Sequence, residues 1–431
     1  CYVTVGAGTY GRDEMMQNLA INSERLWASL MEMAQIGATE KGGVNRQALT
    51  ELDGQGRDLF VRWCREAGCG VRVDAVGNIH ARRPGKNDAL AAVMTGSHLD
   101  TQPTGGKFDG VFGVLSGLEV IRTLNDLNYE TERPVEVTVW TNEEGCRFAP
   151  AMMGSGVASG KFDLDEVYAL ADADGKAFRD ELDAIGYLGA GAPAVGDVAA
   201  FFEVHIEQGP ILEDADKTIG IVQGAQGQRW FDVTLVGQEA HAGPTPMQTR
   251  HDALVGAAEI VGAVNRIGLK FQPGACATVG QFDVSPNSRN TIPGQVVFSV
   301  DFRHPDDACL SAMKVALEAA CAKAAADQGL ELNCRQIWYQ PPIVFDADCV
   351  AAVQSGAEAA GLEAMKIVSG AGHDACHIST LAPTGMIFVP CKDGISHNEM
   401  ESATQDDCAA GCNVLLHAII DRANAPSAKA E

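Results

Sequence analysis

Residues 91–100 read Ala91-Ala92-Val93-Met94-Thr95-Gly96-Ser97-His98-Leu99-Asp100: an apolar run that ends in a histidine and an aspartate. A short apolar run bounded by turn signals reads as a strand buried on both faces. Three more runs end in the same way. Val135–Trp140 passes through Thr141-Asn142 to Glu143-Glu144, Phe201–Val204 leads to His205, and Met386–Pro390 leads through a Gly-containing loop to His397. Between them lie helical patterns at Asn22–Gln35, Gly54–Ala67 and Gly110–Leu127, and a strand-and-turn at Val71–Ala81 with Gly77-Asn78 as its turn signal. Alternating strands and helices imply an α/β fold: a mostly parallel sheet with helices on both faces.

Near Thr218 the texture changes. Phe231–Val236 and Val296–Phe302 alternate apolar with polar, as half-buried strands do, and two long helices lie between and after them at His251–Ile267 and Asp307–Ala326. The α/β pattern then resumes with a helix at Ala347–Ala360 and the strand at Met386–Val389. The expected organisation is a discontinuous domain of residues 15–220 and 336–431, interrupted by a smaller α+β domain at 221–335. Ala169–Ala200 reads as loops and short helices with no evident role. Residues 1–14 read as a tag remnant or an unstructured extension.

The 431 residues carry 32 Lys+Arg against 57 Asp+Glu, a formal charge of −25. A surface this acidic argues against a nucleic-acid partner and against an anionic membrane. No apolar stretch approaches the length of a membrane span. The 13 cysteines show no CxxC pair, which points to a cytoplasmic protein with reduced thiols. Cys64, Cys146 and Cys321 read as small buried hydrophobes.

In open α/β sheets ligands bind beyond the carboxyl ends of the strands, so His98, Glu143-Glu144, His205 and His397 converge on one place. Asp109, in Gly105-Gly106-Lys107-Phe108-Asp109-Gly110, adds a carboxylate with two oxygens that can bridge two cations. Alone, a strand-end histidine is usually structural, a Glu pair a solvated turn, and a loop Asp a helix cap. Together they point to two divalent ions, zinc first, with manganese, cobalt or nickel as alternatives. Such a pair can polarise a carbonyl and activate water.

Gly96-Ser97-His98-Leu99-Asp100-Thr101, the Asp109 loop and Thr141-Asn142-Glu143-Glu144-Gly145 resemble the M20-type dinuclear metallohydrolases. His205-Ile206-Glu207-Gln208-Gly209-Pro210 and Ser396-His397-Asn398-Glu399 resemble their hydantoinase/carbamoylase amidase branch. That branch holds N-carbamoyl-L-amino-acid hydrolases, β-ureidopropionases and allantoate amidohydrolases. The resemblance implies that His98, Asp109 and His205 hold one metal, and that Asp109, Glu144 and His397 hold the other. It implies Glu143 as general base and Asp100 as the residue orienting His98 through its other ring nitrogen.

The resemblance also makes the insert a lid and dimerisation domain. Its His241, in Gly237-Gln238-Glu239-Ala240-His241-Ala242-Gly243, would stabilise the oxyanion across a homodimer. Gln208, Asn290, Arg303 and Gly372 would contact substrate, with Asn290 and Arg303 gripping its carboxylate. His373 and His377 are expected in supporting roles, and His80, His251, His304 and His417 as ordinary histidines. The implied reaction is hydrolysis of the carbamoyl C–N bond of a small ureido-carboxylate. Allantoate hydrolysis is the alternative, followed by an M20-type peptidase and by a non-catalytic metal-binding protein.

Overall fold

A computed structural model describes residues 19–193 and 195–426; the expectation for residues 1–14 lies outside them. The described chain forms two compact units, one from residues up to Gln223 together with Phe345 onward, the other from Gly224–Val344.

The larger sheet has nine strands, which follow one another as Gly70–Val73, Ile79–Arg83, Val135–Trp140, Ala92–His98, Val198–Ile206, Thr384–Val389, Ile219–Ala225 and Ile343–Val344; all but the last, and the end of Ile219–Ala225, belong to the first unit. Ala364–Ser369 also pairs with Ile219–Ala225. The four strands from Val135–Trp140 to Thr384–Val389 run parallel, and antiparallel neighbours flank them. Ala92–His98 and Val135–Trp140 are buried at every position. Because successive side chains point to opposite faces, both faces of the central sheet are covered.

The helix Val111–Asp126 links these two parallel neighbours and buries Val111, Phe112, Val114, Leu115, Leu118, Val120, Ile121 and Leu124. It packs against Ser23–Met33 and Gln405–Ala423, and the last of these also packs against Ala347–Ala359. Asn22 caps the first of those helices through its side chain, as Thr404 and Asp346 cap the other two.

The second unit is built on an antiparallel sheet ordered Phe282–Ser285, Gln295–His304, Gly227–Val236, Glu331–Gln340, with Cys276–Thr278 beside Gln295–His304. Along Gln295–His304 burial alternates, and Val296, Phe298, Val300 and Phe302 face a core shared with Phe231, Val233 and Leu235. Helices Ala253–Lys270 and Asp307–Gln328 close that core with Ile260, Val264, Leu310, Met313 and Leu317. Asp252 and Asp306 cap them, and Gly329 ends the second at φ +63°. Glu331–Gln340 pairs with Gly227–Val236 and so belongs to the inserted sheet; the chain returns to the first unit at Phe345, where the sequence alone put 336.

Cys64 and Cys321 are buried as expected, but Cys146 is exposed. It follows Gly145, whose φ of +65° turns the chain outward just past Glu144. The segment Ala169–Ala200 contains the helix Phe178–Ala184, and its Asp172 and Glu181 hold Arg147 next to the Glu143-Glu144 loop.

Candidate metal centre

Each functional side chain stands at or just beyond the carboxyl end of a parallel strand: His98 ends Ala92–His98, Glu143 and Glu144 follow Val135–Trp140, and His205 is the penultimate residue of Val198–Ile206. His397 follows Thr384–Val389 after one short turn, with a left-handed φ of +53°. Asp109 precedes the helix Val111–Asp126. Gly110 enters that helix at φ +68°, and a Cβ there would fall 2.4 Å from the His98 ring. Only glycine lets the Asp109 loop approach His98 this closely.

Asp109 is the hub. Its Oδ1 lies 3.1 Å from His205 Nε2 and 3.7 Å from His98 Nε2, and its Oδ2 lies 3.3 Å from His397 Nε2. Glu144 Oε2 is 3.3 Å from the same His397 nitrogen. One donor atom each from His98, Asp109 and His205 lies within 4.8 Å of the others, and so does one each from Asp109, Glu144 and His397. Imidazole nitrogens and carboxylate oxygens suit zinc and its first-row neighbours. A third group, Glu203, His205 and His373, overlaps the first through His205. Glu143 Oε2 sits 3.5 Å from His98 Nε2 and belongs to none of these groups.

The electrostatics call for cations. Burial, then the charges of Asp374, Glu144, Asp100 and Asp109, hold the Glu143 carboxyl well above the usual range. Burial and Asp109 push Glu144 up to about 7. Burial alone would raise Asp109 too, but His205 and His397 outweigh it and hold its carboxyl well below the usual range. So many buried carboxylates repel one another unless opposite charge lies between them. The donor set and this repulsion both fit two divalent ions.

Several supports differ from the sequence expectation. His98 Nδ1 lies 2.9 Å from the Asp100 carbonyl oxygen and 4.0 Å from the Asp100 carboxylate. The Asp100 backbone, not its side chain, therefore orients His98. Its carboxylate instead accepts from the backbone N–H of Glu143 at 3.3 Å and of Glu144 at 3.2 Å. A fully buried carboxylate takes N–H donors where the turn offers them, and this one pins both glutamates at once. Gln208 donates to Asp109 Oδ2 at 3.0 Å and to Ser396 Oγ at 3.2 Å. His373 is buried, with Nε2 3.1 Å from Ser369 Oγ and its ring against that of His205. Ser155 Oγ lies 3.1 Å from His377 Nδ1. Gly372 stands in the loop before Asp374, where a Cβ would meet Met152 Cε at 3.0 Å.

In the second unit, His241 pairs with Thr291, and the N–H of Ala242 donates to the carbonyl of Asn290 at 2.8 Å, which sets His241 and Asn290 side by side. Arg303 stands near the far end of Gln295–His304, its guanidinium paired with Asp301 at 3.0 Å. His251 Nδ1 donates to the Gln328 carbonyl and His304 Nε2 to the Phe271 carbonyl, both at 3.2 Å and within the second unit, and His417 is buried in the helix Gln405–Ala423.

Three supports have no role that the sequence reading assigns. Gln102 reaches Glu144 through its backbone N–H at 3.1 Å and its side-chain amide at 2.8 Å. Ser396 Oγ lies 3.1 Å from Asp109 Oδ2 and 2.9 Å from Glu401 Oε2. Glu401 Oε1 accepts from the backbone N–H of Phe108 and Asp109 at 3.0 and 3.1 Å, and a Cβ at Gly106 would collide with its carboxylate. Glu401→Ala leaves those two amides without an acceptor and loosens the shared ligand. Metal affinity is expected to fall about 10–100-fold, read as metal retained against a chelator series. Unchanged retention would show that the loop holds Asp109 without Glu401.

The family model of peptidase family M20/M25/M40 matches residues 94–421. The chain is 50% identical over 407 residues to an N-carbamoyl-L-amino-acid amidohydrolase of Rhizobium meliloti, covering 94% of this chain and 98% of that protein. It is 35% identical over 403 residues to an N-carbamoyl-L-amino acid amidohydrolase of Geobacillus stearothermophilus, covering 93% and 98%. Among solved structures, an amidase of the hydantoinase/carbamoylase family from Burkholderia multivorans superposes with a TM-score of 0.91 at 59% identity, covering 95% of this chain and 99% of that one. The protein is thus an M20-fold hydrolase with a metal-type donor site. It belongs to peptidase family M20/M25/M40, in the hydantoinase/carbamoylase amidase branch.

Proposed function

We propose that this protein hydrolyses the carbamoyl C–N bond of N-carbamoyl-L-amino acids, giving the amino acid, ammonia and carbon dioxide. The observation that carries the reading is two donor groups sharing Asp109, with the buried and unshared Glu143 carboxylate beside them. The relatives' substrates supply the carbamoyl group.

In this reading His98, Asp109 and His205 hold one divalent ion, and Asp109, Glu144 and His397 the other; zinc fits the donors. When bound, the pair polarises the carbamoyl carbonyl and acidifies water. Glu143 accepts the proton of the attacking water and returns it to the leaving amino nitrogen. The carbamic acid released splits into ammonia and carbon dioxide. Asp100 keeps Glu143 and Glu144 on separate duties by fixing both backbone amides. Arg303 and Asn290 would take the substrate carboxylate, Arg303 exchanging Asp301 for it, and Gln208 and Gly372 would also contact the substrate. His241, exposed and accepting from the N–H of Gly243 through its Nδ1, would reach the oxyanion of a partner subunit in a homodimer.

We also place the protein in the cytoplasm. All cysteines among the described residues are free, and no described helix is long and apolar enough to cross a membrane.

The deciding experiment is a turnover panel on metal-reconstituted enzyme: N-carbamoyl-L-amino acids, N-carbamoyl-β-alanine, allantoate and dipeptides. The N-carbamoyl-L-amino acids are expected to give the highest kcat/KM, at least about tenfold above the rest; a tenfold preference needs only ~1.4 kcal/mol of differential binding. Preferred turnover of allantoate or of a dipeptide would replace the proposed substrate class.

A further inference from the structure

The loop Thr141–Glu144 carries both the proposed base and a metal ligand, and its backbone is held at almost every polar atom. Asp100 takes the Glu143 and Glu144 amides. The carbonyls of Thr141, Asn142 and Glu143 accept from Gly154, Met153 and Met152 at 2.8, 3.2 and 2.7 Å. Asn142 sits at φ +55°, a left-handed conformation that a non-glycine residue keeps only when its surroundings enforce it.

The remaining hold comes from outside the metal centre. Asn78 is fully buried in the turn between Gly70–Val73 and Ile79–Arg83. Its Oδ1 accepts from Thr141 N–H at 3.0 Å, and its Nδ2 donates to the Gly154 carbonyl at 3.2 Å. It therefore joins the end of one strand to the start of helix Met153–Ala158, and it holds the loop at Thr141 while Asp100 holds it at Glu143 and Glu144. A Cβ at Gly154 would fall 2.2 Å from that Oδ1, so the contact is close-packed.

Asn78 is itself held in place. Asp74 accepts its backbone N–H at 2.9 Å and its side-chain amide at 3.0 Å. Asp74 Oδ2 lies 3.4 Å from His80 Nε2, whose Nδ1 is 3.1 Å from Glu136 Oε1. His80 is thus no ordinary histidine: it is buried with a carboxylate at each ring nitrogen. Arg57, also fully buried, donates to the Gly77 carbonyl at 2.7 Å and reaches Thr141 Oγ1 at 3.4 Å. A chain of satisfied buried polar groups is rigid, and it sets geometry more tightly than apolar packing does.

We infer that Asn78 is a positioning residue for catalysis, holding the Thr141–Glu144 loop so that Glu143 meets the attacking water. The inference rests on the proposed role of Glu143. It predicts that loss of Asn78 affects turnover more than substrate or metal binding, because a misplacement of about 1 Å at the base costs roughly 10²-fold in rate.

The test uses the full chain, metal-reconstituted, as wild type, Asn78→Ala, Asn78→Ser and Leu124→Ala. The last is a core truncation at the far end of Val111–Asp126 that lowers stability without touching the loop. Asn78→Ala is expected to lower kcat about 10–100-fold, with KM and metal content within about twofold of wild type. Deuterium uptake of a peptide spanning residues 141–145 should rise at the same time. Asn78→Ser keeps an uncharged hydroxyl beside Asp74 but is too short to reach both the Thr141 N–H and the Gly154 carbonyl, so its kcat should fall between wild type and the alanine variant; it carries the test if the alanine variant does not fold. Leu124→Ala should keep kcat. The inference is overturned if a folded Asn78 variant keeps kcat and local exchange within twofold of wild type. It is equally overturned if Leu124→Ala loses kcat to the same degree, since the effect is then general stability. A wild type inactive on every substrate of the panel would sink the proposed function alone, because exchange at 141–145 still decides whether Asn78 holds the loop.

Discussion

Glu143→Gln is expected to lower kcat by about 10²–10⁴-fold while both metals stay bound, the range that general acid–base catalysis supplies. The substitution is isosteric and leaves the Asp100 bonds to the Glu143 and Glu144 amides in place, because those are made to backbone N–H groups. It removes only the proton acceptor. Glu143 is the buried carboxylate of the centre that stands outside both donor groups, so its loss should not empty either. Burial and four neighbouring carboxylates raise its affinity for a proton, which is what a base needs once metal has lowered the repulsion around it. Steady-state kinetics beside metal analysis of the same sample makes the measurement. A variant with full activity and two metals would remove Glu143 from the mechanism. The same variant tests the homodimer: mixed with His241→Ala and allowed to exchange subunits, it should recover part of the lost activity. No recovery in a verified heterodimer would confine His241 to its own subunit's site or to none.

The parts of this centre that could be read from sequence are those where a strand's apolar run stops at a ligand-type residue. His98, Glu143, Glu144 and His205 sit at strand ends because a parallel sheet buries everything before them. Periodicity also revealed the inserted domain through the alternation of Val296–Phe302. It missed Glu331–Gln340, where Leu332 and Cys334 are the apolar residues on the half-buried face while Ile337, Trp338 and Tyr339 are exposed, so the alternation is too short to stand out. It missed Gln405–Ala423 for the opposite reason: burial on most sides leaves little amphipathic contrast. Side-chain partners were less legible still. Asp100 supports the glutamate loop rather than the His98 ring because its orientation depends on a turn more than 40 residues away in the chain. Glu401 reaches Phe108 and Asp109 across 293 and 292 residues, and Asn78 reads in sequence only as half of a Gly-Asn turn. Contacts made by tertiary closure leave no local pattern.

Removing the metals should destabilise the protein, and more so as pH rises. A ligand that binds only the folded state contributes RT ln(1 + [L]/Kd), about 4 kcal/mol at a thousandfold excess over Kd, so chelation should lower Tm by roughly 5–10 °C and abolish turnover. The pH dependence follows from the metal-free centre. Glu144 and Glu401 are raised to about 7, in each case first by burial and then by the charge of Asp109. His397 is raised to about 9 by its hydrogen bond to Asp109; for His205 burial opposes the shift, but the Asp109 bond prevails and the value again reaches about 9. All four folded-state values lie above those of the unfolded chain, about 4.3 for Glu and 6.5 for His. Each group therefore contributes stability that is fully present below its unfolded value and is lost as pH rises through its folded one. For the carboxyls that window runs from about 4.5 to 7, and for the imidazoles from about 6.5 to 9. Asp109, held low, has the opposite sign, and its contribution is lost only in acid, outside this range. The metal-free protein should thus lose stability steadily from pH 5 to 9. The loaded protein, whose carboxylates are neutralised by cation and whose imidazoles are held unprotonated, should lose less. Thermal melts of both forms across that range would show the gap in Tm widening with pH. A constant or narrowing gap would mean that the protons held by these four groups in the metal-free centre are not what metal binding displaces.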